Sequence, residues 1–252
     1  MKLVILAAGK GTRFYPLTRN LPKGLVPLLD KTLIEYVIEP YLGLVSEIIL
    51  VINPATGHML KERFCSSYLG HPVSYVIQDD AATPELKGTW GALWHCRDLL
   101  CAQVKDGGGD NRGEAFCVSN CDDLLLQSDI ASAFALGVPV MGLARARMPW
   151  NYLSIDADAA GFISGFRRHV REGGETIDVC TSNGFYVLTP DVFSFKPVAA
   201  KDGELGLPHT MLEHAAGYPL RAFEFSAWQA VNGPDNIPAA EEFVRRIKEN
   251  LK

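Results

Sequence analysis

Short runs of β-branched and apolar residues alternate along this chain with longer stretches in which apolar residues recur at helical spacing. Leu3 to Leu6, Glu47 to Ile52, Val73 to Ile77 and Ala115 to Ser119 are predicted as strands, and such nearly continuous apolar runs fit strands covered on both faces. Between them, Leu33 to Leu44, His58 to Tyr68 and Gly91 to Leu100 carry the helical period. This rhythm predicts an α/β fold with a Rossmann-like, mostly parallel sheet flanked by helices. Ligands in such sheets sit beyond the carboxyl ends of strands. Both Ala8-Gly9 and Asn120-Cys121-Asp122 directly follow predicted strands.

From Val138 the pattern loosens into short strands at Val140 to Ala144, Tyr152 to Ile155, Phe162 to Phe166 and Gly184 to Leu188. Pro208 to Ala216 reads as a helix, Leu220 to Phe225 as a strand and Ala239 to Leu251 as a closing helix. Lys105 to Gly113, with four Gly in nine residues, reads as disordered but is too short to link domains. There is no internal repeat, so residues 1–252 are expected to form one domain, with residues 1–135 and 136–252 as its two halves. A core of this size needs no covalent staple. The six cysteines, irregularly spaced and without a CxxC pair, read as reduced thiols rather than disulfides or a zinc site.

Charge sharpens the picture through its distribution. The net charge of −5 argues against a protein that coats nucleic acid or an anionic membrane. Residues 1–29, however, hold five cations (Lys2, Lys10, Arg13, Arg19, Lys23) and no acid, which leaves −10 on the remaining 223 residues. A basic segment on an acidic body points to a small anionic ligand bound locally. The first apolar run spans only six residues and leads into Gly and Lys, so it reads as a strand and not a signal peptide. No run approaches the ~18 residues of a membrane span, and a cytoplasmic location is expected.

Leu6-Ala7-Ala8-Gly9-Lys10-Gly11-Thr12 follows the first strand as phosphate-binding loops do, with small residues that let backbone N–H groups reach phosphate oxygens. It is not a Walker loop, because Gly11 follows Lys10 where Ser or Thr is required. Nor is it a dinucleotide fingerprint, because Phe14 stands where a third Gly is needed. The run continues with Arg13, Pro16, Thr18, Pro22, Lys23 and Pro27, giving G-x-G-T-R-x-x-P-x-T-x-x-x-P-K-x-x-x-P. In this long, fixed spacing the sequence resembles the nucleotidyltransferase family that joins a nucleoside triphosphate to a sugar 1-phosphate or another small phosphomonoester.

The resemblance implies the nucleotide-diphospho-sugar transferase type of fold, with a nucleotide-binding first half and an acceptor-binding second half. It places Arg13 on the β- and γ-phosphates and Lys23 near the α-phosphate and the acceptor phosphate, as catalytic cations, with Lys10 auxiliary. It further implies Gln78 and the Gly88-Thr89 turn as base readers favouring a pyrimidine (UTP, CTP or dTTP), with Asn120 also on the nucleotide. Asp122 would bind Mg²⁺, a metal that needs only one or two protein oxygens beside phosphate and water. Cys121 replaces the family's usual Gly there, and Asp123 is the runner-up ligand, unless one of the two acids caps the next helix. The second metal oxygen is assigned to Asn232, since Ala230 occupies the position of the more common Asp.

On the acceptor side the resemblance assigns Asn183 and Glu204, whose amide and carboxylate suit sugar hydroxyls. The family's Glu-Lys-Pro segment appears here as Arg168-His169-Val170, so His169, Arg167 or Arg168 is left to stand in for the missing lysine. Two rivals follow. A cytidylyltransferase acting on phosphocholine or a phosphorylated amino acid would use Trp150, Tyr152 and Phe185 as an aromatic cage. A nucleotide-binding regulator that has lost turnover would explain Ala230 and the altered acceptor segment. An oligomer is compatible with each reading.

Overall fold

In β1 (Lys2–Leu6), Leu3 and Ile5 point to one face and Val4 and Leu6 to the other, and all four are buried. A strand buried on both sides must lie inside a covered sheet. The computed structural model of the protein describes residues 1–101, 113–149, 153–168, 176–200 and 203–250. After β1 its strands are β2 (Pro27–Leu28), β3 (Lys31–Thr32), β4 (Glu47–Ile52), β5 (Ser67–Tyr68), β6 (His71–Ile77), β7 (Phe116–Asn120) and β8 (Asp123–Leu125). The second half adds β9 (Val140–Pro149), β10 (Leu153–Ala157), β11 (Ile163–Arg168), β12 (Thr176–Leu188), β13 (Arg221–Glu224) and β14 (Trp228–Ala230). The helices are α1 (Leu33–Ile38), α2 (Gly57–Phe64), α3 (Thr89–Trp94), α4 (Arg97–Cys101), α5 (Gln127–Ala135), α6 (Leu207–His214) and α7 (Ile237–Asn250).

Eight strands form one sheet in the order β13-β9-β12-β7-β1-β4-β6-β5. All neighbours pair in parallel except where β12 meets β7 and β9 and where β5 meets β6. The expected mostly parallel sheet is therefore present, with both halves of the sequence supplying strands to it. Leu3 and Ile5 pack with residues of α1, α2, α5 and α7 on one face, while Val4 and Leu6 pack with α3, α4 and α6 on the other. Among the described residues no helix is long and apolar enough to cross a membrane.

Helix lengths differ from the sequence expectation for local reasons. The stretch predicted over Leu33 to Leu44 is α-helical only to Ile38 and continues as a 3-10 turn, Glu39–Tyr41, because Pro40 lacks an amide and crowds the preceding turn. The helix predicted to reach Tyr68 stops at Phe64, where Cys65 takes φ 51° and the chain turns into the β5–β6 hairpin. Gly91 to Leu100 divides into α3 and α4, with Cys96 N–H bonding back three residues to Leu93. The Lys105 to Gly113 stretch, but for Gly113, lies outside the described residues.

The entrance to α1 is held by a buried carboxylate. Glu35 accepts from the Thr32 N–H at 2.9 Å and Thr32 Oγ1 at 2.6 Å, and its other oxygen accepts from Arg63 at 2.6 Å and the Tyr68 hydroxyl at 3.2 Å. Burial alone would raise the Glu35 pKa, but the Thr32 bonds and the Arg63 charge outweigh it and hold the group below its ordinary value. Its contribution is therefore complete above the unfolded pKa of 4.5 and is lost as pH falls through the lower folded value. Glu35→Gln keeps the size but turns an amide toward donors. It is expected to cost ~2 kcal/mol in urea denaturation at pH 7 and to flatten the loss of stability below pH 4.5 seen in the unaltered protein.

Candidate active site

The parallel register that sets Leu6 beside Asn120 brings two strand ends together, so the glycine loop after β1 and the polar turn after β7 open into one cleft. The cleft encloses about 550 Å³. Gly11 adopts φ 63°, and its carbonyl accepts from Thr18 Oγ1 at 2.6 Å, which folds the Thr12–Phe14 turn back on itself. Phe14 is driven into the core, so Arg13 beside it stays exposed on the cleft wall.

Lys23 is only 8% exposed. Its ammonium lies over the Phe14 ring at 5.4 Å and forms an ion pair with Asp122. A lysine buried to this degree is held by its charge partner, not by water. Asp122 in turn is fixed from behind, since its carbonyl accepts from Val231 N–H at 2.8 Å. That bond sets Asn232, the next residue, near Asp122, and both line the cleft. One carboxylate and one amide oxygen with space for phosphate oxygens and water suit a hard divalent cation such as Mg²⁺.

At the other end Gln78 closes β6, where its N–H bonds to Ile52, and its side-chain amide donates to the carbonyls of Gly88 at 3.1 Å and Leu86 at 3.4 Å. Those two acceptors fix the amide orientation, and among the described residues nothing donates to Oε1. Gly88 has φ 106°, and a Cβ there would come within 2.5 Å of the Leu205 carbonyl. The turn is stitched to the segment that carries Glu204 by Leu205 N–H to Lys87 O at 2.7 Å, Trp90 N–H to Leu205 O at 3.0 Å and Leu207 N–H to Thr89 Oγ1 at 2.8 Å. Trp90 is buried and fills the helix–sheet interface.

Leu6, Ala8, Gly9, Lys10, Gly11, Thr12, Arg13, Lys23, Gln78, Gly88, Thr89, Asn120, Asp122, Asn232 and Glu204 all line this cleft. Two candidate residues lie behind it. Ala7 is packed in the core, and its N–H continues the sheet to Val51. Asn183 is fully buried on the opposite face of β12, where its Oδ1 accepts from Phe185 N–H at 3.2 Å. Ser182, one residue earlier, reaches the cleft instead. Phe185, offered as part of an aromatic cage, is core, packed against Tyr41, Phe134 and Phe225. Trp150, Tyr152 and His169 lie outside the described residues. Arg167 pairs with Asp156 at 3.2 Å, and neither it nor Arg168 lines the cleft.

The structure adds residues to the cleft that sequence reasoning passed over. Lys87 pairs with Glu204 at 3.3 Å, and its place immediately before Gly88 was the available signal. Asp80 also lines the wall, and no spacing in the sequence singled it out; Trp228, which opens the segment that carries Ala230 and Asn232, lines it too. Asp123 caps no helix. It is buried, accepts from Asn120 Nδ2 at 2.8 Å and Trp228 Nε1 at 2.6 Å, and burial together with the neighbouring Asp122 pushes its pKa up to about 7. In the turn before α7, Asn236 Oδ1 accepts from the N–H groups of Asn232 and Gly233.

A glycine loop and two cations face a carboxylate across the carboxyl ends of parallel strands, an arrangement whose backbone N–H groups and positive charge suit phosphate oxygens. The chain belongs to the nucleotidyl transferase family, which residues 2–135 match. It is 34% identical over 252 residues to the bifunctional protein GlmU of Methanococcus maripaludis strain C5, covering 98% of this chain and 55% of that protein. It is 25% identical over 251 residues to the UTP–glucose-1-phosphate uridylyltransferase of Pseudomonas aeruginosa, covering 89% and 88% of the two chains. The chain thus spans about half the length of the GlmU relatives it matches. Among solved structures, UDP-glucose pyrophosphorylase complexed with UDP-glucose superposes with a TM-score of 0.76 at 21% identity, over 97% of this chain and 98% of that one. The inositol-1-phosphate CTP transferase from T. maritima gives 0.75 at 19% identity, over 98% and 96%. These two likenesses establish the fold.

Gly184 measures how tightly the back of the cleft is built. It has φ 80°, and a Cβ there would come within 2.3 Å of Asn120 Nδ2 and 2.5 Å of Asp123 Oδ2. Gly43 has a similar φ of 83° but open space around it. Gly43→Ala should lose only the backbone preference, about 1 kcal/mol. Gly184→Ala should lose more than twice that, and comparing the two variants by urea denaturation isolates the contact with Asn120 and Asp123.

Proposed function

We propose that this protein is a Mg²⁺-dependent nucleotidylyltransferase that couples a nucleoside triphosphate, with a pyrimidine base favoured, to a sugar 1-phosphate, giving a nucleoside diphosphate sugar and pyrophosphate. The observation that carries the reading is the Lys23–Asp122 pair between the glycine loop and the acceptor segment. In the reaction an acceptor phosphate oxygen attacks the α-phosphorus. A new P–O bond forms as the bond to the bridging α–β oxygen breaks, and pyrophosphate leaves with that electron pair. Two polyanions must meet, so catalysis consists of positioning and charge neutralisation.

The residues divide that work. Backbone N–H groups of the glycine loop hold phosphate oxygens, and Arg13 neutralises charge growing on the leaving pyrophosphate. Lys23, half released from Asp122 as anionic oxygens arrive, serves the α-phosphate and the incoming acceptor phosphate. Asp122 and Asn232 would hold Mg²⁺, which supplies a further positive charge shared between the phosphates. The free Oε1 of Gln78 matches the N3–H of uracil or thymine, or the 4-amino group of cytosine. The carboxylate of Glu204 and the ammonium of Lys87 together offer an acceptor and a donor to sugar hydroxyls. With Phe185 in the core, the phosphocholine alternative loses one wall of its cage.

Pyrophosphate release measured with UTP, CTP and dTTP over a panel of sugar 1-phosphates tests the assignment. Lys23→Ala and Asp122→Ala are each expected to lower kcat by ~10²–10⁴-fold, with circular dichroism unchanged. Turnover equal to the unaltered protein in either variant would sink the mechanism. A nucleotide that raises Tm without turnover on any acceptor would identify a regulator instead.

A further inference from the structure

Among the described residues, Asp123 is the one buried carboxylate of the cleft that the proposed chemistry leaves without a task. Both its oxygens are engaged, Oδ2 with Asn120 and Oδ1 with the Trp228 indole, and Gly184 closes over it. Asn120 ends β7, Asp123 opens β8 and Trp228 opens β14, so a single side chain joins three strand ends. Core packing alone does not call for an acid here. A buried carboxylate costs desolvation that an apolar residue of similar size avoids.

The segment it grips needs an anchor. β14 pairs with β8 over only three residues, Trp228 with Leu125, Gln229 with Leu124 and Ala230 with Asp123, and lies outside the main sheet. Two strands of that length are marginal by themselves. Yet the chain leaves β14 straight into Val231 and Asn232, which carry the backbone bond to Asp122 and the amide beside it. The indole N–H donates to Asp123 Oδ1 at 2.6 Å, a short bond, and it clamps the strand at the end opposite Asn232.

We infer that Asp123 is a positioning residue which, through the Trp228 indole, holds the Trp228–Asn232 segment at the distance from Asp122 that a divalent cation requires. The inference rests on the proposed function, in which Asp122 and Asn232 share the cation. A ligand oxygen left free to drift binds a cation less well, and groups that orient metal ligands typically contribute 10–100-fold in affinity.

Isothermal titration of the full chain with the pyrimidine triphosphate that binds it best, once with Mg²⁺ and once with EDTA, tests this without any turnover. Trp228→Phe keeps the ring and removes only the N–H, while Asp123→Asn keeps the size and removes the charge. Trp228→Phe should weaken binding in Mg²⁺ by ~10-fold or more and leave binding in EDTA within about twofold. Asp123→Asn should act the same way. The double variant should be no worse than Asp123→Asn alone, since Asp123→Asn weakens the bonds to both Trp228 and Asn120 and Trp228→Phe removes the first of these. Equal losses with and without Mg²⁺ would show a merely structural role, and no loss would show no role, and either overturns the inference. An unaltered protein that gains nothing from Mg²⁺ would instead overturn the proposed metal site, and this inference with it. If Asp123→Asn fails to fold, Trp228→Phe still decides.

Discussion

The cleft depends on the parallel register of β1 and β7. Leu6 beside Asn120 is a backbone fact, fixed by ladder hydrogen bonds and by four buried residues on β1 whose alternation admits no slip. A shift of one residue would turn Leu3 and Ile5 away from α1 and α2 and carry the glycine loop away from Asp122. With the register held, Lys23 and Asp122 meet although 99 residues separate them. The charge segregation in the sequence is thereby made local: the basic first 29 residues acquire their counter-charge from the end of another strand.

Behind that contact the structure tolerates an expensive arrangement. Asp122 and Asp123 are adjacent carboxylates, one paired with a cation and the other buried against neutral donors. Burial and the neighbouring charge both raise the Asp123 pKa, and two good donors only partly oppose them. Gly184 is the fitting piece, because its missing side chain and left-handed backbone let β12 pass directly over the two polar groups. Closure of this kind locks the rotamers of Asn120 and Asp123 by packing, which is what a precisely shaped site requires.

Much of this was legible in the sequence, and the remainder failed for identifiable reasons. The central strands were readable because their apolar runs are continuous, and the glycine loop, Lys23 and Asp122 because a fixed spacing carries them. Asn183 was assigned to the acceptor by the resemblance, but period-2 alternation turns Ser182 to the cleft and Gly184 toward Asn120 and Asp123 and sends Asn183 to the other face, where Gly142 leaves it room. The β8–β14 pair escaped notice because three-residue strands carry no period, and their pairing joins residues about a hundred positions apart. Pro40 ended a helix whose apolar spacing ran on past it. Lys87 and Glu204, 117 positions apart, meet only because the turns that carry them share backbone bonds.

Those shared bonds make the two ends of the cleft one mechanical unit. Gln78 grips the Gly88 carbonyl, and Gly88 lies so close to Leu205 that no side chain fits between them. Leu205 exchanges bonds with Lys87 and Trp90, while Leu207 bonds to Thr89. Gly91 locks the same turn from below, since a Cβ there would overlap the Leu86 carbonyl at 1.4 Å. A displacement of the turn that carries Gln78's partners therefore moves the backbone that carries Glu204. The Gln78 and Glu204 sides of the cleft are thus built on one piece of backbone, and the glycines at 88 and 91 are what allow that piece to be so closely joined.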